Sequence, residues 1–171
     1  MRLTNISLPR CVLNIDVREY EWCGFSDASE MAYSAVLYIR CVHEDGSISV
    51  NLVAVKTEVA PMKQQSIPKL ELCGALLLVR LISAVSTATD LKCPIHAWTD
   101  SSAVLRWLST GSRWWVTFVA NRVAEIQKGI SSESWRFVPG IENPADCASR
   151  GISVDELLEK KEWWHGPAWL T

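Results

Sequence analysis

Paired cysteines, a surplus of charge of one sign, internal repeats and an uncharged apolar run of membrane-spanning length are all missing from this 171-residue chain. Each absence removes a class of function. The six cysteines (Cys11, Cys23, Cys41, Cys73, Cys93 and Cys147) are scattered, with no Cys-x-x-Cys pair and no paired Cys and His sets at zinc-ligand spacing. That excludes a structural zinc module and leaves them as small buried hydrophobes in a reducing compartment. A formal charge of −2, with Lys and Arg mixed among Asp and Glu, excludes the strongly basic face that holds nucleic acid unaided by counterion release. No signal peptide opens the chain. The longest apolar stretch, 70–85, carries Glu71 and Arg80 and falls short of the ~20 residues a membrane span needs, so the expectation is a soluble, intracellular protein with no membrane partner.

What is present is one sizeable core: 49% of the residues are hydrophobic, in a chain long enough for one domain and too short for two full ones. The only shift in character follows Gly151, which divides the chain into a unit over 1–151 and an appended segment over 152–171. Residues 20–26 and 32–41 are rich in aromatic and branched side chains, and Asp45-Gly46 marks a turn before 48–56, the pattern of neighbouring antiparallel strands. Pro68 suits the first turn of a helix over 69–86 that is apolar nearly all round and therefore buried against a sheet. A short buried strand over 95–99, helices over 101–108 and 118–130, a strand over 135–138 and a final short helix capped by Asn143-Pro144 complete the order βββαβααβα. Two later strands reached through helical crossovers predict an α/β fold, a mixed sheet covered by helices on both faces.

Four carboxylates occupy positions that propensity does not favour. Asp27 ends the first strand in Phe25-Ser26-Asp27-Ala28-Ser29, and Asp100 ends the fourth in Trp98-Thr99-Asp100-Ser101-Ser102. Adjacent parallel strands would bring these two together at the sheet edge where open α/β sheets place ligands. Glu71 stands in the first turn of the apolar helix, where an unpaired carboxylate costs several kcal/mol or stays protonated, so a partner is implied. Asp146 opens the last helix. Bland readings exist for three of them: Asp27 as a strand end, Asp100 as a helix cap, Asp146 as a favourable charge at a helix N-terminus. Glu71 is the hardest to explain that way. Converging carboxylates need a shared cation, and oxygen ligands without His or Cys select Mg²⁺ or Mn²⁺. Two such ions ~3.5 to 4 Å apart would activate a water and stabilise the leaving oxygen at phosphorus, which is phosphodiester hydrolysis.

The runs Phe-Ser-Asp-Ala-Ser (25–29), Ile-Pro-Lys-Leu-Glu-Leu (67–72), Trp-Thr-Asp-Ser (98–101) and Asn-Pro-Ala-Asp-Cys-Ala-Ser-Arg-Gly (143–151) resemble the RNase H domain of BEL/Pao-type retrotransposons. Phe118-Val119-Ala120-Asn121-Arg122-Val123 and Val138-Pro139-Gly140 match as well, so the resemblance covers roughly 8–170. It implies a ribonuclease H-like fold, a five-stranded mixed sheet in the order 3-2-1-4-5, with Asp27, Glu71, Asp100 and Asp146 as metal-binding catalytic residues for two Mg²⁺ ions and Mn²⁺ as substitute. It further implies cleavage of the RNA strand of an RNA–DNA hybrid during reverse transcription, leaving 3′-hydroxyl and 5′-phosphate ends, in cytoplasmic retrotransposon particles. The implied partners are the hybrid and the reverse transcriptase and integrase regions of one polyprotein. Trp163-Trp164-His165-Gly166-Pro167 resembles the segment between RNase H and the integrase zinc-binding region, which makes 152–171 a linker toward that region. Two departures stand out. Relatives carry a His in the loop before the last Asp, where Ile141-Glu142 stands here, and Asn or Gln just before the catalytic Glu, where Ile67-Pro68 stands. RNA-strand contacts then fall to Ser29, Gln65 or Ser101.

Arg106, Arg113, Trp114 and Trp115 cluster between two helices, and Arg113 with Trp114 suits phosphate contact and base stacking; the plainer reading packs the tryptophans in the core and leaves Arg113 solvated. Ser26, Ser29, Ser101 and Ser102 have no His in a motif context to activate them, so nucleophilic catalysis is not indicated, and His43, His96 and His165 read as structural or exposed. An inactive RNase H-like scaffold is the competing reading, opposed by four intact carboxylates. An aspartic protease needs Asp-Thr/Ser-Gly, and Asp100-Ser101 is followed by Ser102.

Overall fold

The computed structural model describes residues 16–171; Cys11 and the first residues of the resemblance lie outside them. Three strands of branched and aromatic residues, β1 (Val17–Ala28), β2 (Ala32–His43) and β3 (Ile48–Val59), form an antiparallel meander. Two side chains close its turns: the Ser29 hydroxyl accepts from the Met31 and Ala32 amides, and Asp45 Oδ1 accepts from the Ser47 amide at 2.9 Å. Each strand is longer than its apolar pattern predicts. The extra residues, such as Thr57 paired with Ser34 and Val59 with Ala32, are held by the backbone ladder and leave no burial signal in the sequence.

β4 (Ile95–Thr99) joins β1 in parallel and β5 (Trp135–Phe137) joins β4 in parallel, which completes the expected order β3-β2-β1-β4-β5. The first face of the sheet buries Trp22, Ala35, Leu37, Ile39 and Ala97 against α1 (Ile67–Thr89), α2 (Ser102–Ser109) and α3 (Thr117–Gly129). α1 runs 23 residues, beyond the apolar stretch, with the Thr87 and Thr89 hydroxyls donating to the Ser83 and Val85 carbonyls in its last turns, and the left-handed Asp90 ends it. By length and composition α1 would suit a membrane, yet Leu70, Leu72, Leu76, Leu77 and Leu78 are buried here against the sheet and neighbouring helices.

The second face buries Cys23, Phe25, Val36, Tyr38 and Trp98 beneath α4 (Ala145–Arg150) and the C-terminal segment. Residues 152–171, expected as a linker, form α5 (Val154–Glu159), α6 (Lys161–His165) and a terminal 3-10 turn (Ala168–Leu170), of which α6 and the terminal turn pack against the sheet. Tyr38 Oη donates to the Trp163 carbonyl at 2.9 Å, Arg40 Nε donates to the Leu170 carbonyl at 2.6 Å, and Leu170 is 5% exposed. Burying such a leucine contributes about 1.5–3 kcal/mol.

Candidate metal centre

β1 and β4 run in parallel register with Ser26 opposite Thr99, so the residues that follow this pair, Asp27 and Asp100, emerge side by side at one end of the sheet. Glu71 arrives from α1. The helix comes this close because residue 74 is glycine: a Cβ there would sit 2.9 Å from the Asp27 carbonyl oxygen, and Glu71 lies one turn earlier on the same side. One carboxylate oxygen from each of Asp27, Glu71 and Asp100 lies within 4.8 Å of the other two.

These carboxylates are not consumed by structural duties. Ser101, not Asp100, caps α2, its hydroxyl accepting from the Val104 amide at 3.4 Å. Among the described residues, Glu71 Oε2 and Asp100 Oδ1 are buried without a hydrogen-bond partner. A buried orphan oxygen of this kind costs about 1–3 kcal/mol, more when charged, so the pair is a costly arrangement for the protein alone. The donor set fits a hard divalent cation: three carboxylates converge, while His43 pairs with Ser49, His165 with the Val50 carbonyl and His96 lies 3.8 Å from Glu21.

Burial, reinforced by Asp100 and Asp146 and opposed by the Ser149 hydroxyl, pushes the Asp27 carboxyl up to about 6. Burial and the charges of Asp100 and Asp27 push Glu71 up to about 8, and burial raises Asp100 as well. Carboxyls that bind protons more tightly folded than unfolded stabilise the fold below their ordinary values near ~4, and that contribution is lost as pH rises through the folded values. The site therefore makes the metal-free protein less stable from about pH 4 to about 8. Thermal melts in EDTA across this range are expected to fall with pH, and saturating Mg²⁺ at pH 8 to restore the loss. A Mg²⁺-independent profile would count against a metal centre.

The fourth expected ligand stands apart from the three. Asp146, in the first turn of α4, accepts at Oδ1 from Arg150 Nε one turn later. It remains close enough to raise Asp27, Glu71 and Asp100 electrostatically. Arg150 and the three carboxylates line an open cleft of about 490 Å³, with Met31 and Ile67 on its apolar rim.

The expected substrate contacts are dispersed. Ser29 lines the cleft, but its hydroxyl donates to the Ser149 carbonyl at 2.7 Å and ties the β1–β2 turn to α4. Ser101 is spent as the cap, and Gln65 is half-buried in the loop before α1, outside the cleft lining. Arg113 and Trp114 are exposed on a single 3-10 turn (Ser112–Trp114), with Trp114 73% exposed, whereas Trp115 packs edge-on to Trp107 at 6.3 Å. The core reading thus holds for Trp115 and fails for Trp114.

Three neighbours of the carboxylates were given no role at the site by the sequence. The Ser149 hydroxyl donates to Asp27 Oδ2. Asn143 Nδ2 donates to the Ser26 carbonyl at 3.0 Å while its Oδ1 accepts from the Ala145 amide, pinning α4 to β1. Gly140 leaves room for Asp100: a Cβ would sit 3.0 Å from Asp100 Oδ2. The one available signal was helical spacing, which puts Ser149 and Arg150 three and four residues after Asp146.

The family described as Pao retrotransposon-like RNaseH-like domain matches residues 1–101, which include Asp27, Glu71 and Asp100. The chain belongs to this family. No curated protein matches this RNase H-like domain. Among solved structures, LC9-RNase H1, a type 1 RNase H with the type 2 active-site motif, is 14% identical with a TM-score of 0.50, covering 85% of this chain and 76% of that one. The N-terminal RNase H domain of a Mycobacterium tuberculosis protein is 15% identical with a TM-score of 0.48, covering 77% and 94%. RNase H1 from Halobacterium salinarum is 13% identical with a TM-score of 0.44, covering 83% and 99%. The likeness to LC9-RNase H1 and the strand order show a ribonuclease H-like fold.

Proposed function

We propose that this RNase H-like domain is a metal-dependent ribonuclease H that hydrolyses the RNA strand of RNA–DNA hybrids during reverse transcription of its element. The observation that carries this reading is the convergence of Asp27, Glu71 and Asp100 on one open cleft, with two buried carboxylate oxygens left without partners. In this reading Asp27, Glu71 and Asp100 hold the cation, and Asp146 completes the set on release from Arg150. Two Mg²⁺ ions, or Mn²⁺ in their place, would supply an activated water and stabilise the leaving oxygen, giving 3′-hydroxyl and 5′-phosphate ends.

The chain's own residues prepare that chemistry. Ser149 fixes the Asp27 carboxylate and leaves its second oxygen to the cleft. By capping α2, Ser101 spares Asp100. Arg150 brings a guanidinium, the geometry that matches phosphate, to a cleft otherwise dominated by carboxylates. Exposed Arg113 and Trp114 offer a second contact through phosphate pairing and base stacking. The reverse transcriptase and integrase regions of one polyprotein are the proposed neighbours, and cytoplasmic retrotransposon particles the proposed location. A scaffold would gain stability by neutralising the orphan carboxylates, which favours the catalytic reading over the scaffold one.

The test is cleavage of a labelled RNA–DNA hybrid in Mg²⁺, in Mn²⁺ and in EDTA. The expected result is metal-dependent cutting of the RNA strand that falls steeply with salt, as a domain of net charge −2 holds its substrate weakly. Cutting in neither metal would favour the scaffold.

A further inference from the structure

Behind the carboxylates, on the second face of the sheet, three aromatic rings form one cluster. Phe25 and Trp98 stack across β1 and β4 at 5.0 Å and an interplanar angle of 14°. Each stands two residues before its aspartate, Asp27 or Asp100, and Phe25 shares Asp27's side of β1. Trp169, from the C-terminal segment, packs on both, at 6.0 Å from Phe25 and 5.3 Å from Trp98.

The same indole reaches the loop before α4. Trp169 Nε1 donates to Glu142 Oε2 at 2.7 Å. Glu142 closes the 3-10 turn Gly140–Glu142, whose first residue abuts Asp100 Oδ2. The following residue, Asn143, holds the Ser26 carbonyl, the backbone link next to Asp27. One side chain thus holds, through Glu142, the loop that carries the supports of both aspartates. Its own position is set by Arg40, whose Nε donates to the Leu170 carbonyl at 2.6 Å while Nη1 is held by Glu21.

We infer that the C-terminal segment is a brace for the carboxylate site, with Trp169 and Glu142 as positioning residues that hold the Gly140–Asn143 loop against Asp100. The inference rests on the metal-dependent reading given above. Trp169 is 45% exposed, so its hydrogen bond is of the modest, water-accessible kind, and its loss loosens the loop by roughly fivefold rather than dissolving the fold.

The test uses the full chain and four variants: Trp169→Phe keeps a ring but removes the N–H, Glu142→Ala removes the acceptor, Glu142→Gln keeps it without charge, and Trp169→Ala removes both ring and donor. Amide hydrogen exchange over 140–143 and Mn²⁺ affinity by calorimetry are the readouts, alongside the split between kcat and KM on a hybrid. Trp169→Phe and Glu142→Ala are expected to speed loop exchange and weaken Mn²⁺ binding roughly fivefold, with kcat lowered and KM little changed. Glu142→Gln is expected to stay near wild type, and Trp169→Ala to exceed both single-contact losses. Wild-type Mn²⁺ affinity in Trp169→Phe and Glu142→Ala would overturn the brace alone, as would Glu142→Gln weakening as much as Glu142→Ala. A wild-type protein that binds no Mn²⁺ would overturn the metal-dependent reading and the brace with it.

Discussion

Replacing Asp100 with Asn is expected to abolish cleavage of an RNA–DNA hybrid while raising the melting temperature of the metal-free domain. The two side chains have the same shape, so packing around β4 survives. What changes is charge. Asp100 is the neighbour that adds most to the raised Glu71 carboxyl after burial, and it raises Asp27 too. Removing it relieves a like-charge cluster whose Glu71 Oε2 has no partner, and the new amide can donate to a remaining carboxylate. Each kcal/mol of relief corresponds to about 2–4 °C in a domain of this size. The same change removes an anionic ligand from the centre, a loss on the order of 10³-fold, the scale of deleting one preorganised electrostatic partner. Melts in EDTA and cleavage in Mg²⁺ read the two effects separately. A variant that still cuts would remove Asp100 from the site, and one that melts lower in EDTA would make Asp100 a structural residue. The expected opposition, stability gained where activity is lost, marks a site built for a ligand that the fold alone does not supply.

The elements whose evidence is local were legible in the sequence. Asp27 and Asp100 each close a run of buried, β-forming residues, and Glu71 interrupts an apolar helix, so all three stood out against their surroundings before any contact was known. The mixed sheet followed from one Asp45-Gly46 hairpin and two helical crossovers, while its strand order was implied by the family resemblance. What stayed hidden depends on long-range or strictly geometric terms. The docking of 152–171 relies on Tyr38 and Arg40 reaching the carbonyls of Trp163 and Leu170, and carbonyls carry no sequence signal. Trp114 and Trp115 are adjacent and identical, yet one faces solvent and the other packs on Trp107. They lie where a 3-10 turn ends, and there successive side chains diverge by roughly 120°, which composition does not register. The sequence offered Asp100 as the cap of α2, one residue before Ser101. The hydroxyl took the role and left the carboxylate to the cleft.

Gly74→Ala is the second change with a large expected effect, and its sign is opposite to what helix propensity suggests. In an exposed helix interior, alanine is favoured over glycine by about 1 kcal/mol. Here the added Cβ would lie 2.9 Å from the Asp27 carbonyl oxygen and 3.4 Å from that of Ser34, both backbone atoms in the β1–β2 ladder. Neither can rotate away, so α1 must move off the sheet, at a cost of about 1–3 kcal/mol for overpacking. Glu71, one turn earlier on the same side, moves with it, and a displacement of ~1 Å at a reacting centre costs on the order of 10² in rate. Gly24→Ala provides the contrast. Its Cβ would meet Leu78 Cδ1 at 2.7 Å, a side-chain end that can change rotamer, so stability is expected to fall while cleavage persists. Melting temperature, Mn²⁺ affinity and kcat measured on both variants separate damage to the core from displacement of Glu71. A Gly74→Ala protein that melts higher and cuts normally would show that α1 can approach β1 without glycine, and the placement of Glu71 would need another cause.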